Sequence, residues 1–264
     1  MDRAEFVERG ASIADRLTTT QAQPPWWLVA AAAVAALVLV GYTPVWRLTR
    51  NIVTIAHEGG HAVVALLTGR RLDSIRLHSD TSGLTVSSGK PYGFGMILTT
   101  MAGYPAPPLL GLGFAALLGA SRITLMLWTA IVLLAALLIK IRNIYGALTV
   151  LGLGAVVFVV SWFGTDTLQA GFAYLGAWFL LFAGARPVAE LQRGRSRQQR
   201  SRHHDVASDA DQLAKLTHLP GLLWVLVFGA IAVGSLLIGA GLLVSDAADI
   251  CLPHLPFGSC PAPR

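Results

Sequence analysis

The sequence predicts an all-α polytopic membrane protein with about six to seven transmembrane helices and a small β-hairpin. First, 54% of the 264 residues are hydrophobic and only 13% are charged, whereas a soluble domain has roughly 25% charged residues. Second, several apolar runs approach the roughly 20 residues that cross a hydrocarbon core about 30 Å thick. Third, one polar insertion between two runs alternates apolar and polar residues, as a strand does.

Residues 1–26 are predicted to form an N-terminal tail. They mix acidic and basic residues and lack the cationic start and early apolar core of a cleavable signal peptide, so we expect the first span to stay in the mature protein. A helical core follows over 27–185. The apolar runs lie at 27–46, 51–67, 94–118, 123–139, 144–162, 168–185 and 220–244.

The polar insertion at 74–88 predicts the hairpin. Ile75 and Leu77, and then Leu84 and Val86, alternate with polar residues, and the SDTSG between them supplies turn-forming residues. A disordered polar loop is the alternative.

Residues 186–207 are predicted to form a flexible basic loop, because they are rich in Arg, Ser and Gln and show no apolar periodicity. We expect order to resume at Ser208, where an aspartate segment leads into the last span over 208–244. A C-terminal tail, 245–264, completes a single membrane domain.

The C-terminal tail holds both cysteines of the chain. Cys251 and Cys260 are close in sequence, with two prolines and a glycine between them, and so predict a small disulfide loop on an oxidising face. Two unrelated thiols are the alternative.

The net charge of +6 comes from basic residues at the ends of apolar runs and in one loop, as in topology signals. No nucleic-acid recognition motif accompanies the charge, so we expect the lipid bilayer as a partner and no nucleic acid. Residues 186–204 carry six arginines, which predicts that this loop is cytoplasmic and that the C-terminal tail lies outside.

A titratable cluster lies inside an apolar run, in the IAHEGGHAVV of residues 55–64. His57 and His61 are four residues apart, about 400° of helical rotation, so both imidazoles project from one face. Each can place a nitrogen about 2.0–2.1 Å from a zinc ion. Glu58 lies about 100° around the helix, where its carboxylate can take a proton from a zinc-activated water, as in HExxH peptidases. The cluster therefore predicts Zn²⁺ as cofactor and hydrolysis as chemistry.

The position of Glu58 favours a functional role. It is the only glutamate between Glu8 and Glu190, and a charged side chain at membrane depth costs about 2.5–3.5 kcal/mol on insertion scales. Gly59 and Gly60 each cost a helix about 1 kcal/mol relative to alanine. Either something approaches the helix backbone closely there, or the membrane helix simply tolerates them.

A catalytic zinc site normally has three protein ligands, so the third must come from elsewhere in the chain. The candidates in the sequence are Asp166, Asp205, Asp209, Asp211 and His78. The segment SDADQLAKL predicts a helix start with Ser208 as its N-cap. Acidic residues stabilise a helix start without any metal, so these aspartates also have a purely structural interpretation.

With these residues the sequence resembles the site-2 protease family of intramembrane zinc metalloproteases, in particular the small bacterial members with an AHEGGHA helix. The resemblance implies a bacterial plasma membrane and a distant aspartate, opening a later helix, as third ligand. Asp209 stands at that position. Ala210 and Asp211 stand where small glycines are common, so the choice between Asp209 and Asp211 as metal ligand stays open. The resemblance covers residues 47–120 and 205–240.

Two further segments stand out. IRNIYG, residues 141–146, is similar to this group of proteases, and Asn143 is a candidate catalytic residue that donates a hydrogen bond to a developing oxyanion. The alternative is that Arg142 and Asn143 anchor a helix end. MAGYPAPP, residues 101–108, places three prolines in an apolar run, which predicts a kink or a gate.

The implied function is a zinc-dependent intramembrane endopeptidase, a hydrolase whose partner is a membrane protein substrate. The alternatives are a non-catalytic metal-binding scaffold or chaperone and a metal transporter. The predicted topology puts His57 near the outer end of one span and Asp209 at the inner entrance of another, so one segment must tilt or dip into the membrane. The sequence indicates neither the substrate nor the oligomeric state.

Overall fold

The computed structural model describes residues 3–200 and 208–245, so the predicted disulfide lies outside the described residues. The elements in chain order are α1 (Arg3–Thr18), α2 (Trp26–Gly41), α3 (Thr43–Leu67), β1 (Arg71–Leu77), β2 (Gly83–Ser88), α4 (Phe94–Met101), α5 (Ala106–Gly119), α6 (Ile123–Leu138), α7 (Ile144–Phe163), α8 (Asp166–Ala183), α9 (Ala185–Arg200), α10 (Asp209–Thr217) and α11 (Gly221–Ser245).

Long apolar helices confirm the polytopic, mainly helical class. Among the described residues, α7, the stretch of α8 and α9 over Asp166–Ser196, and α11 are each long and apolar enough to cross a membrane. Two bent pairs pass the same test together: α2 with α3, bent by 99°, and α4 with α5, bent by 71°. The described part therefore has three to five candidate spans. The predicted number of six to seven is larger because it counts α2 and α3 separately and includes the short helix α6.

Small residues bring the helices of the main core together. Helix α8 packs on both α2 and α5. Ala36 of α2 and Ala173 and Ala177 of α8 are fully buried there. Such residues let helix backbones approach closely. Close packing matters in a membrane because the lipid tails are as apolar as the helices, so burial of apolar surface does not drive the helices together. Trp46 and Val53 extend this core to α3, the helix that carries the histidines.

The predicted hairpin is present, with β1 and β2 antiparallel. The register puts Leu84 and Val86 opposite Arg76 and Ser74, on the face away from buried Ile75, and both of these β2 side chains are exposed. The buried apolar face therefore comes from β1.

A short extended segment closes the other edge of β1. The Ile75 N–H donates to the Lys140 carbonyl (2.8 Å), and the Arg142 N–H donates to the Ile75 carbonyl (3.0 Å). The hairpin is thereby attached to the connection between α6 and α7, and β2 becomes its outer strand.

Helix α9 lies where the sequence predicted a flexible loop over 186–207, and that prediction was wrong for residues 186–200. Arg and Gln are good helix formers. Arg186 and Glu190, one turn apart, form an ion pair (3.1 Å), and the Trp46 indole N–H donates to the same carboxylate (3.1 Å). Composition does not reveal the contact with Trp46, because that residue lies on α3.

The predicted N-terminal tail contains helix α1, which packs beside α6 and α7. The Phe6 ring lies 4.8 Å from the Trp162 ring, and Arg9 donates to the Trp162 carbonyl (2.8 Å). Arg16 forms an ion pair with Asp166 at the start of α8 (2.7 Å). This contact already occupies Asp166, one of the candidate third ligands.

Candidate metal centre

Helix α3 presents two imidazoles on one face. It runs unbroken for 25 residues, from a proline-containing first turn to Thr68 and Gly69, whose positive φ of 73° ends the helix. His57 and His61 are one turn apart, and their Nε2 atoms lie 3.1 Å from each other. Both nitrogens therefore point to the same place.

Helix α10 brings a carboxylate to the same place. Asp209 is its first residue, and its Oδ2 lies 3.3 Å from the Nε2 of His57 and 3.3 Å from the Nε2 of His61. Two fully buried side chains of α10, Ala210 and Leu213, pack in a cluster with Phe228 of α11 and so anchor the short helix. Two nitrogens and one oxygen from elements distant in sequence thus converge.

The three atoms fit a metal ion. Ligands about 2.0–2.1 Å from a tetrahedral zinc ion lie about 3.3–3.4 Å apart, close to the separations seen here. Asp209 Oδ2 is buried and lies 3.3 Å from both imidazole nitrogens without meeting hydrogen-bond geometry to any group of the described residues, so a cation between the three atoms would satisfy it. Among those residues, His57, His61 and Asp209 form the group that could hold an ion.

The turn between α4 and α5 lies against the imidazoles. A Cβ added to Gly103 would collide with the His61 Nε2 and would lie 2.5 Å from the His57 Cε1. Glycine is therefore required for the backbone to approach this closely. The segment belongs to MAGYPAPP, and the 71° bend between α4 and α5 agrees with the predicted kink.

Neighbouring groups orient the two rings. The His61 Nδ1 lies 2.7 Å from the Thr99 carbonyl oxygen of α4, so Nδ1–H donates and Nε2 keeps its lone pair for a metal. The His57 ring packs edge-on against Tyr104 (4.9 Å), which stacks on Phe228 of α11 (5.1 Å). Thr99 and Tyr104 therefore hold the two imidazoles in place.

The Glu58 carboxylate lies against the hairpin. Glu58 is only 4% exposed, and the Thr85 hydroxyl of β2 donates to its Oε2 (2.6 Å). A Cβ on Gly83 would collide with Glu58 Oε1, so the strand approaches the carboxylate closely. The hairpin thus holds the acidic group that stands next to His57 in the sequence.

The other acidic candidates have different partners. Asp211 accepts from the Ser208 hydroxyl (2.6 Å) in a capping box and forms an ion pair with Arg195 of α9 (2.7 Å). Asp166 is paired with Arg16, and Asp205 lies outside the described residues. Of the two aspartates that the sequence left open, Asp209 is the one beside the imidazoles.

His78 belongs to the turn of the hairpin. Its Nδ1 lies 3.3 Å from the Ser82 hydroxyl, which donates to Asp80 Oδ1 (2.6 Å). Hydrogen bonds from the side chain and backbone of Ser82 lower the pKa of Asp80. These contacts stabilise the turn and give His78 a local partner.

Asn143 occupies the N-cap position of α7. Its amide nitrogen donates to the Leu77 carbonyl (2.6 Å), and its amide oxygen accepts from the Leu77 N–H (3.2 Å). The side chain thus pairs with the end of β1 as a strand would. In this structure its hydrogen bonds serve the hairpin attachment.

Helix α3 leaves α2 at a bend of 99°, so it does not continue the direction of α2. Its two histidines meet Asp209 of α10. Thr85, Thr99 and Tyr104 were not predicted as site residues, since nothing in their local pattern marks a contact with α3.

A family model described as Peptidase M50B-like matches residues 29–239, which run from α2 into α11 and include all the residues of the centre. Comparison with curated proteins and with solved structures gave no match.

Proposed function

The chain belongs to the M50B-like peptidases of the site-2 protease family, and we propose that it is a zinc-dependent intramembrane endopeptidase that cleaves membrane-embedded protein substrates. The observation that carries the proposal is the convergence of His57, His61 and Asp209 on one point. The buried Glu58 follows His57 directly in the sequence. Membrane-spanning helices and a peptidase family agree with a protease that works in the bilayer.

Zinc is the metal that suits this donor set. Two imidazoles and one carboxylate are the ligands of several catalytic zinc sites, and they leave a fourth position open. A zinc ion held there would supply a nucleophile at neutral pH, because zinc lowers the pKa of bound water to about 7. His57, His61 and Asp209 would hold the ion, with His61 oriented by Thr99.

Glu58 is proposed as the general base. Its carboxylate takes a proton from the attacking water and returns it to the leaving amine nitrogen. The hydrogen bond from Thr85 fixes one oxygen, Oε2, which leaves Oε1 to exchange the proton. Burial of the side chain excludes competing water.

The outer strand β2 is the proposed place for the substrate backbone. A helical peptide bond is shielded by its own hydrogen bonds, so the substrate must be extended before attack. Among the described residues the sheet has two strands, and β2 pairs with β1 along one edge. A substrate strand added at the other edge would run beside Thr85 and Glu58.

We place the protein in a bacterial plasma membrane with the arginine-rich helix α9 on the cytoplasmic side, because basic residues are retained on that side. We propose that Asn143 affects catalysis by positioning the hairpin, because its amide oxygen and its amide nitrogen both form hydrogen bonds with Leu77 of β1.

The test is to measure zinc content and cleavage on the same purified protein. We expect one zinc per chain and cleavage of a single-span membrane peptide labelled at both ends. Glu58→Gln should keep the zinc and lower the rate of cleavage by about 10²–10⁴-fold, the contribution of a general base. Glu8→Gln, an exposed glutamate on α1, is the matched control and should match the wild type.

Other outcomes favour the alternatives. Cleavage retained by Glu58→Gln would remove this residue from the mechanism. Zinc binding without cleavage by the wild type would favour a metal-binding scaffold or chaperone, and zinc flux across proteoliposomes would favour a transporter.

A further inference from the structure

We propose that Arg195 is a positioning residue that holds Asp209 at the metal centre, acting from α9 through Asp211. This inference rests on the proposed function, since it assigns Asp209 the role of metal ligand. The three residues Arg195, Asp211 and Gly221 are called the clasp below.

The cation of the clasp is well shielded. Arg195 Nη1 lies 2.7 Å from Asp211 Oδ1, and the Arg195 side chain is 12% exposed while that of Asp211 is 31% exposed. The second oxygen of Asp211 accepts from the Ser208 hydroxyl (2.6 Å) and from the Ser208 N–H (3.3 Å). One carboxylate thus joins the cap of α10 to a cation on α9.

Helix α10 needs such a support. It has nine residues, and a helix this short is marginal alone, so tertiary contacts must determine where it starts. Asp209 is the first residue of the helix and Asp211 lies within the same first turn. Any shift of the helix start therefore moves the Asp209 carboxylate away from the imidazoles.

The clasp also separates the roles of the two acids. Asp211 is bound by Ser208 and Arg195, whereas the neighbours of Asp209 Oδ2 are the imidazole nitrogens of His57 and His61. Arg195 neutralises the acid that is not used as a ligand. This leaves one carboxylate to face His57 and His61.

Gly221 makes room for the guanidinium. A Cβ on this first residue of α11 would collide with Arg195 Nη2 and would lie 2.5 Å from Nη1. The guanidinium is bound to Asp211 at the place that the added methyl group would occupy. Gly221→Ala should therefore displace Arg195 from Asp211 without removing any charge.

The test measures zinc affinity of the full chain in detergent by competition with a chelator, together with kcat for the labelled membrane peptide across zinc concentrations. We expect Arg195→Gln to raise the zinc Kd at least tenfold and saturating zinc to restore most of kcat. Arg195→Lys should recover part of the affinity. Arg193→Gln, an exposed arginine on the same helix, is the matched control and should leave the Kd within twofold of the wild type.

Gly221→Ala covers the case in which Arg195→Gln fails to fold. It should raise the zinc Kd about threefold to tenfold, and combining it with Asp211→Asn should add little, because both break the same contact. If Arg195→Gln and Gly221→Ala both have the same zinc Kd as Arg193→Gln, the proposed role of the clasp is refuted and the proposed protease function is unaffected. A wild type that binds zinc without cleaving peptide overturns the protease alone, and one that binds no zinc overturns both.

Discussion

The two functional faces of α3 are supported by different parts of the molecule. The face with His57 and His61 meets helical elements: the Thr99 carbonyl of α4, the turn at Gly103 and Asp209 of α10. The face with Glu58 meets a strand, through Thr85. Metal binding and proton transfer should therefore be separable, since a substitution on one side of α3 need not disturb the other.

The largest effect is expected on the imidazole face, from Gly103→Ala. The added methyl group would collide with the His61 Nε2, the atom proposed to bind the metal. Zinc and cleavage should be lost together, with the zinc Kd raised more than about tenfold, within the 10–100-fold range for disturbed metal sites. Zinc content per chain and the rate of peptide cleavage measure this.

Gly113→Ala on α5 is the control, because a Cβ there has nothing within 4 Å. Zinc content at the wild-type level in a folded Gly103→Ala protein would show that the turn does not limit the space around the imidazoles.

A smaller effect is expected on the glutamate face, from Thr85→Val. The change keeps the shape of the side chain but removes its hydrogen bond to Glu58 Oε2. A hydrogen bond to a charged group contributes about 1.5–3 kcal/mol, so kcat should fall about tenfold to a hundredfold while zinc content stays at the wild-type level. Thr85→Ser, which keeps the hydroxyl, should retain most of the rate.

Zinc content and kcat of Thr85→Val together test whether metal binding and proton transfer are separable. If Thr85→Val loses zinc, the hairpin also supports the metal ligands. If its kcat is unchanged, the contact with Glu58 is not needed for proton transfer.

Local spacing predicts one of these faces well. Because an unbroken helix repeats every 3.6 residues, the separation of His57 and His61 in sequence determines that their rings share a face. The apolar runs and the hairpin were recognised for the same reason, since each depends on a short periodic pattern. The helical membrane fold follows from composition and run length.

The partners of α3 could not be predicted in this way. Asp209 and Asp211 are two residues apart in one helix start, and their tertiary contacts distinguish them: Asp209 lies beside the two imidazoles, whereas Asp211 pairs with Arg195. Thr85 is an ordinary polar residue of a strand until the hairpin folds back onto α3. Helix α9 was predicted as a loop because composition does not reveal the contact between Glu190 and Trp46.

The smallest effect is expected where α3 meets neighbouring helices away from the two functional faces, at Gly59 and Gly60. A Cβ on Gly60 would collide with the Ala106 Cβ and lie 2.7 Å from the Ala102 carbonyl oxygen, both fixed parts of the α4–α5 region. A Cβ on Gly59 would meet only the Leu137 Cδ1, at 3.1 Å, which is the end of a flexible side chain. A neighbouring helix is thus the group that approaches this backbone, and it does so at Gly60.

Alanine gains about 1 kcal/mol of helix propensity at either position, but overpacking costs about 1–3 kcal/mol. We expect Gly60→Ala to lower the thermal unfolding midpoint in detergent by a few degrees and Gly59→Ala to leave it equal or slightly higher, so equal midpoints for the two variants would mean that α3 and α5 can separate without loss of stability.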